Sequence, residues 1–177
     1  MEATMVKSPP RTLMEVFRSL PEGTLAQLIE NQLIMTAALR YKHQRISNDI
    51  NVKLSNFINH NQIGEVLDAP IDVYLDDKNA YQPDIIFISN ENKGIIYDDG
   101  LYGAPDLVIE ILSKSTAKYD LKDKKNVYER SGVREYWVVY PESKEVEGYF
   151  LEDGNYGNPI TGKGSICSRL LDHELIF

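Results

Sequence analysis

The sequence predicts an α/β protein in which a mixed β-sheet is flanked by helices. Residues 12–20 and 43–60 contain apolar residues at helical spacing. From Gly64 onward the apolar residues gather instead in short segments bounded by Pro, Gly, Asp and Asn, which is typical of strands. One further helical segment, residues 118–131, interrupts these strands and ends at Gly132 as its C-cap. Helices, strands, a crossover helix and more strands together indicate helices packed on a sheet.

Three segments precede the predicted strands. Residues 12–20, "TLMEVFRSL", form an amphipathic pattern that proline and glycine end, which predicts a short helix. Residues 25–37 contain two apolar runs on either side of "ENQ", which predicts a hairpin. Residues 43–60 have apolar side chains at helical spacing but many asparagines, so we expect packing rather than propensity to stabilise this helix.

Five segments are predicted to be strands. They are "EVLDAPIDVYLDD" (65–77), "QPDIIFIS" (82–89), "PDLVIEILS" (105–113), "REYWVVYP" (134–141) and "EVEGYFL" (145–151). The second and third contain continuous apolar runs, which favour central strands covered on both faces. Trp137 lies within the fourth, and we expect it to belong to the core.

The composition bounds the class of protein. A chain of 177 residues predicts one domain over residues 1–177. No apolar run approaches the ~20 residues of a membrane span, and the first residues lack the apolar core of a secretory signal. The single cysteine, Cys167, excludes an internal disulfide. We therefore expect a cytoplasmic protein without a membrane partner.

The charge is distributed unevenly along the chain. The net charge of −8 argues against a protein that coats nucleic acid. Residues 61–113 hold eleven acids and two bases, whereas residues 114–130 hold six bases and three acids. This pattern is compatible with a carboxylate site that has a cationic rim, and equally with a solvated helix beside acidic loops.

Glu110 stands in the middle of the apolar run "LVIEIL". Strand alternation places it on one face with Asp106, Val108 and Leu112. Burial of an unpaired carboxylate costs several kcal/mol, so Glu110 requires a partner. A metal ion and a buried ion pair with lysine or arginine both meet this requirement.

Asp84 and Lys124 are the candidate neighbours of Glu110. Asp84 begins the strand "DIIFIS" and follows a proline. A Pro-Asp pair is also common in turns, so Asp84 alone could be a turn former or cap. If the two strands pair, both acids face one pocket, and oxygen ligands of this kind suit Mg²⁺ or Mn²⁺. Lys124 lies at the centre of the apolar stripe of the predicted helix, where Asp120 at i−4 can hold it. Two acids and a lysine of this kind are a candidate catalytic site, in which the lysine positions water or neutralises charge.

Four motifs in this order resemble a known family. They are "QPDIIFIS", "GAPDLVIEILSKST", the spacing D-x-x-x-K-x-x-x-Y from Asp120 to Tyr128, and "GVREYWVVYP". Together they resemble the Uma-type restriction endonucleases of the PD-(D/E)XK nuclease superfamily. The resemblance implies a restriction-endonuclease-like core, a central mixed sheet flanked by helices, preceded by an N-terminal helix and hairpin extension. It also implies cleavage of DNA phosphodiester bonds with Mg²⁺.

The resemblance assigns roles to particular residues. It implies that Asp84 is the first metal-binding aspartate, that Glu110 is the acid of the (D/E)-x-K element, and that the backbone carbonyl of Ile111 is a third ligand. The lysine of that element is replaced by Leu112. In relatives that lack the strand lysine, one on the following helix takes its part, which here implies Lys124.

Several other residues are expected near this site or in its support. Glu30, in the hairpin, and His43, at the start of the long helix, match recurring positions; we expect Glu30 near the pocket and His43 in a structural role. Asp106 either competes as a ligand or caps its strand. Asp120 is expected to hold Lys124.

Three functions follow from these observations. The first is a metal-dependent endonuclease acting on DNA. The second is a non-catalytic protein of the same fold, a homodimeric scaffold or regulatory partner in which Glu110 and Lys124 form a buried ion pair; the acidic net charge favours it. The third, hydrolysis of another phosphoester, is less supported because the chain has no Gly-rich phosphate loop. An exposed edge strand and a small core predict a homodimer.

Overall fold

The structure is a computed structural model that describes residues 9–35, 38, 40–113, 117 and 119–177. The helices in this part of the chain are α1 (Leu13–Arg18), α2 (Tyr41–Asn61), a 3₁₀-helix (Asn90–Ile95), a π-helix (Tyr119–Lys124) and α3 (Lys125–Ser131), which continues the π-helix. The strands are β1 (Ala26–Ile29), β2 (Gln32–Met35), β3 (Gly64–Asp68), β4 (Val73–Asp76), β5 (Asn79–Tyr81), β6 (Ile85–Ser89), β7 (Ile96–Tyr97), β8 (Gly100–Tyr102), β9 (Leu107–Ile111), β10 (Glu135–Val139), β11 (Glu145–Glu152), β12 (Asn155–Tyr156), β13 (Ile160–Lys163), β14 (Ser165–Ser168) and β15 (His173–Ile176).

The strands form two larger sheets and a separate β14–β15 pair. The first sheet has the order β2-β1-β5-β4-β8-β7, and the second the order β12-β11-β10-β9-β6-β3, with β13 also paired to β11. In the second sheet β9 and β10 are parallel, whereas β9 and β6 are antiparallel. A parallel pair needs a crossover connection, which the π-helix and α3 supply between β9 and β10. The second sheet is therefore the predicted mixed sheet.

The two continuously apolar segments are central strands, as predicted. All five residues of β9 and the first four of β6 are buried. One face of β9 presents Leu107, Ile109 and Ile111 to the cluster that includes the apolar stripe of α2, and the opposite face presents Val108 to the cluster that includes α3. The predicted alternation of side chains along β9 is confirmed. Trp137 is also buried in the core.

The long helix α2 packs on the second sheet through a single stripe. Its buried residues include Ile46, Ile50, Leu54 and Ile58, which recur every four positions. The helix ends at Gln62, which adopts the left-handed conformation with φ 54°. This packing stabilises a segment whose asparagines give it weak helix propensity. No helix among the described residues combines the length and the apolar character needed to cross a membrane.

The N-terminal elements belong to the first sheet. Helix α1 begins after Thr12, whose side chain accepts a hydrogen bond from the backbone N–H of Glu15 (3.1 Å). β1 and β2 form the predicted hairpin, and its turn residues Glu30 and Asn31 have φ of 47° and 58°. Positive φ at both positions is the requirement of a type I′ turn. The hairpin is therefore tighter than predicted, because Gln32 already belongs to β2; Thr36 and Ala37 lie outside the described residues.

Two sequence predictions of element boundaries are corrected. Residues 65–77 do not form one strand, because β3 pairs with β6 in the second sheet while β4 pairs with β5 and β8 in the first. The predicted helix 118–131 begins as a π-helix and becomes α-helical only from Lys125. Gly132 ends it with φ 93°, as predicted. The predicted first residue, Lys118, lies outside the described residues, as does Lys114.

Candidate active site

Glu110 and Lys124 form a buried ion pair between β9 and the crossover helix. The Nζ of Lys124 donates a hydrogen bond to Oε1 of Glu110 at 2.8 Å, and the hydroxyl of Tyr128 donates to the same oxygen at 2.8 Å. Glu110 is 3% exposed and Lys124 1% exposed. The parallel β9–β10 pair and its crossover place this helix over the Glu110 face of the sheet.

Asp120 completes the surroundings of the Lys124 ammonium. Its Oδ1 lies 2.9 Å from Nζ, one helical turn before the lysine. The hydroxyl of Tyr136 donates to the backbone carbonyl of Asp120 at 2.8 Å, which anchors the π-helix to β10. The ring of Tyr81 lies 5.6 Å from Nζ, within the range of a cation–π contact. The ammonium is therefore held by two carboxylates and an aromatic ring.

Asp84 lies beside this pair, immediately before β6. Ile85 is paired with Ile109, so continuing the antiparallel register by one residue sets Asp84 opposite Glu110. Its Oδ2 accepts a hydrogen bond from the backbone N–H of Ile111 at 2.7 Å. Asp84 is thus fixed to the strand that carries Glu110. The structure brings the three predicted site residues, Asp84, Glu110 and Lys124, together.

His43 contacts the same cluster from α2. Its Nε2 lies 3.2 Å from Oδ2 of Asp84, and its buried Nδ1 has no hydrogen-bond partner among the described residues. Burial lowers the pKa of His43, but Asp84 and the backbone of Ile111 raise it by more, so the net pKa is raised. We expected a structural role for His43, and the contact with Asp84 places it next to the candidate site. Its position three residues before Ile46, on the apolar stripe of α2, is the pattern that indicates an inward side chain.

The charges of the cluster alter the protonation of its members. Burial raises the pKa of Glu110 to about 8, with Asp120 and Asp84 adding to the effect and Lys124 opposing it. Burial lowers the pKa of Lys124, but Asp120 and Glu110 raise it by more, so the ammonium remains charged. The raised pKa values of Glu110 and His43 favour their protonated forms, so the negative charge of the three acids is largely offset within the cluster.

Glu30 and Asp106 have different positions relative to this cluster. The side chain of Glu30 forms an ion pair with Arg130 of α3 and accepts a hydrogen bond from Asn79 at 3.4 Å. Asn79 in turn accepts a hydrogen bond from the hydroxyl of Tyr81, whose ring contacts Lys124. Glu30 is therefore connected to the cluster only through Asn79 and Tyr81. Asp106 lies at the other end of β9, where it accepts hydrogen bonds from the backbone N–H of Ser89 and the side chain of Asn92.

These contacts give Asp106 the capping role that was one of its two expected roles. It lies four residues before Glu110 on β9, and about 13 Å of strand separates two such positions. Its side chain makes a further contact of 3.5 Å with Arg134. Within the described contacts it does not join Glu110, Asp84 or Lys124.

Two residues of the site were not singled out from the sequence. Tyr128 stood in the quoted spacing D-x-x-x-K-x-x-x-Y, and its place one turn after Lys124 on the apolar stripe could have identified it. Tyr81 has no such pattern, because its contact with Lys124 depends on how β5 of the first sheet meets the crossover helix. Leu112, where the usual lysine would stand, is buried in the apolar cluster on that face of the sheet.

The oxygen atoms of Asp84, Glu110 and Ile111 are the kind of ligand that a hard divalent cation prefers, but they are few. Asp84 and Glu110 offer carboxylates from neighbouring positions of the β6–β9 pair, and the carbonyl of Ile111 follows Glu110 on β9. Among the described residues no group of three or more His, Cys, Asp and Glu side chains is arranged to hold a metal ion. Two carboxylates, one carbonyl and water molecules suffice for Mg²⁺, which usually keeps several waters. These residues could therefore supply the few protein ligands that Mg²⁺ needs.

A mixed sheet with acids on two neighbouring strands and a lysine on its crossover helix defines the class as the restriction-endonuclease-like fold. A crystal structure described as a putative nuclease belonging to DUF820, from Anabaena variabilis ATCC 29413, matches this structure with a TM-score of 0.76 at 16% identity, covering 92% of each chain. At that identity the match establishes the fold. The family model Uma2, described as "Putative restriction endonuclease", matches residues 14–172, and the chain belongs to this family. The curated proteins include no significant match.

Replacement of Lys124 by methionine tests the energetics of the buried cluster. Lys124→Met leaves Glu110 and Asp120 buried without their cation, so we expect the free energy of unfolding to fall by about 3–5 kcal/mol. Lys122→Met, on the exposed face of the same helix, should change it by less than about 0.5 kcal/mol. Urea denaturation of both variants measures the difference. Equal losses would show that the Lys124 ammonium has no special role.

The raised pKa of Glu110 predicts a dependence of stability on pH. A folded-state pKa of about 8, above the ordinary value of 4.5, means that the folded protein binds this proton more strongly than the unfolded chain. The resulting stabilisation is complete below pH 4.5 and is lost as the pH rises through about 8. His43, whose pKa is raised from 6.5, contributes in the same direction.

Glu110→Gln isolates this contribution, because glutamine retains a hydrogen-bond acceptor but does not titrate. We expect its free energy of unfolding to decline less steeply than that of the wild type between pH 5 and pH 8. Urea titrations at half-unit pH intervals give both curves. Parallel curves would refute the raised pKa of Glu110.

Proposed function

We propose that this protein is a metal-dependent endonuclease that hydrolyses phosphodiester bonds of DNA. The observation that carries the proposal is the buried cluster itself: Asp84 opposite Glu110 on adjacent strands, with Lys124 at 2.8 Å from Glu110. Membership of the family described as "Putative restriction endonuclease" supports the class of reaction. The homodimer and the cytoplasmic location remain predictions.

The proposed metal is Mg²⁺ or Mn²⁺, held by the carboxylates of Asp84 and Glu110 and the carbonyl of Ile111. A divalent ion bound there supplies Lewis-acid stabilisation of phosphate charge and lowers the pKa of bound water. All the protein donors are oxygens, as Mg²⁺ and Mn²⁺ prefer.

The side chains have separate proposed roles. Lys124 donates hydrogen bonds to the attacking water or to the developing negative charge of the phosphate, the role of the lysine missing at Leu112. Asp120 keeps the ammonium charged and in place. Tyr128 orients Glu110 through its hydroxyl. Because Glu110 and Lys124 are almost fully buried, DNA reaches them only after part of the protein cover has moved.

A second function is favoured by a specific observation. Oε1 of Glu110 already accepts hydrogen bonds from Lys124 and Tyr128, which is the geometry of a self-sufficient structural ion pair. A non-catalytic dimer that keeps the fold as a scaffold or regulatory partner would need nothing more at this position. Catalysis and metal binding separate the two functions.

Nicking of supercoiled plasmid in Mg²⁺ or Mn²⁺ tests the proposed activity. We expect cleavage by the wild type and a loss of about 10²-fold or more for Asp84→Asn, Glu110→Gln and Lys124→Met, since each removes a charge from the site. The control is Glu135→Gln. Glu135 is another buried glutamate, on the neighbouring strand β10, and its carboxylate accepts hydrogen bonds from Trp137 and Ser168.

The control variant should cut at the wild-type rate once circular dichroism has shown that it is folded. Cleavage that survives all three site substitutions would reject these residues as the active site. A folded wild type that neither cuts DNA nor binds Mn²⁺ at millimolar concentration would favour the scaffold function.

A further inference from the structure

Arg130 forms a half-exposed ion-pair cluster where the hairpin meets α3. Its Nη2 contacts Oε1 of Glu30 in the hairpin turn and lies 3.4 Å from Oδ2 of Asp76 at the end of β4. The side chain of Arg130 is 49% exposed. Lys124 of the candidate site is by contrast buried. Arg130 is therefore a cation that an incoming polyanion can meet from solvent.

A single aromatic residue connects this cluster with the candidate site. The hydroxyl of Tyr81 donates to Oδ1 of Asn79 at 2.7 Å, and the amide of Asn79 donates to Glu30 at 3.4 Å and to Asp76 at 2.8 Å. The ring of Tyr81 packs edge to face on Tyr128 with a centroid distance of 5.4 Å. Tyr128 holds Glu110. A chain of contacts through Glu30, Asn79, Tyr81 and Tyr128 thus links the exposed Arg130 with Glu110.

The ion pair is not needed to fix the hairpin turn. The backbone N–H of Glu30 donates to Oδ1 of Asn79 at 2.9 Å, and the backbone N–H of Asn31 donates to the carbonyl of Lys78 at 3.0 Å. Asp76 likewise accepts hydrogen bonds from Asn79 and from the backbone of Lys78. Both carboxylates can therefore release Arg130 while their own segments remain in place.

The chemistry of the pair suits exchange with a phosphate. The planar guanidinium binds carboxylate and phosphate with the same fork of donors, and both contacts seen here use only Nη2 of its five N–H groups. A chain with a net charge of −8 needs local cations to bind DNA at all. The two flanking acids orient the guanidinium until a phosphate replaces them.

We propose that Arg130 binds a backbone phosphate of the nucleic-acid substrate at the entrance of the candidate site, where the phosphate displaces Glu30 and Asp76. This inference rests on the proposed function and adds a substrate-binding residue to it. Glu30 is then a competitor of the substrate for the guanidinium. Its removal should strengthen DNA binding by more than the loss of one negative charge elsewhere on the surface does, a difference that a purely structural ion pair does not predict.

The test measures the binding of a fluorescein-labelled DNA duplex by fluorescence anisotropy, without divalent ions, from 50 to 200 mM salt. Arg130→Gln should raise Kd roughly tenfold, as expected for the loss of one charge-assisted contact. It should also reduce the slope of log K against log salt by about 0.9, the value for one phosphate contact. Arg130→Lys should keep the slope.

A matched ion pair elsewhere on the surface provides the control. Arg169 lies 2.9 Å from Glu152, and its side chain is 57% exposed. Arg169→Gln should leave the salt slope unchanged. Glu30→Gln should lower Kd more than Glu152→Gln does, although both remove one negative charge.

The outcomes separate this inference from the proposed function. Equal Kd values and slopes for Arg130→Gln and Arg169→Gln, or weaker binding by Glu30→Gln, would overturn the role of Arg130 whether or not the protein cuts DNA. In plasmid nicking, Arg130→Gln should raise KM with little change in kcat. An unchanged KM in an active enzyme also overturns it, whereas an inactive wild type that shows the predicted binding differences rejects only the nuclease activity.

Discussion

The burial of Glu110 is the constraint on which the rest of the site depends. A carboxylate inside an apolar strand is costly unless a charge or donors meet it, and here Lys124 and Tyr128 both do. Lys124 and Tyr128 can reach the Glu110 carboxylate only if the crossover helix lies over one face of β9, with Asp120 one turn before the lysine. The parallel pairing of β9 and β10 sets that geometry. Fold and site are therefore consequences of the same arrangement.

The sheet order and the acids of the site support each other. β6 and β9 are central and covered on both faces, so their side chains have fixed positions. Asp84 stands just before β6, where its carboxylate binds the backbone N–H of Ile111 and lies opposite Glu110. These contacts fix the position of Asp84 next to the strand that carries Glu110, before any ligand is considered.

Sequence patterns predicted the parts of the site that depend on local periodicity. Glu110 was evident as a charge in an apolar run, and Lys124 as a charge on an apolar stripe. The separation of β3 from β4 was missed because alternation within a strand does not specify its partner. The π-helix was missed because apolar spacing does not reveal a change in hydrogen-bond register. The approach of Tyr81 and His43 depends on packing between distant segments.

A crystal structure of the protein soaked with Mn²⁺ tests the central claim most directly. The account predicts anomalous density about 2.0–2.6 Å from carboxylate oxygens of Asp84 and Glu110 and from the carbonyl of Ile111. Lys124 would then lie beside the metal-bound water. If crystals soaked in millimolar Mn²⁺ show no metal at these ligands and an intact Glu110–Lys124 ion pair, the account is contradicted. The cluster would then be a structural ion pair in a nuclease fold.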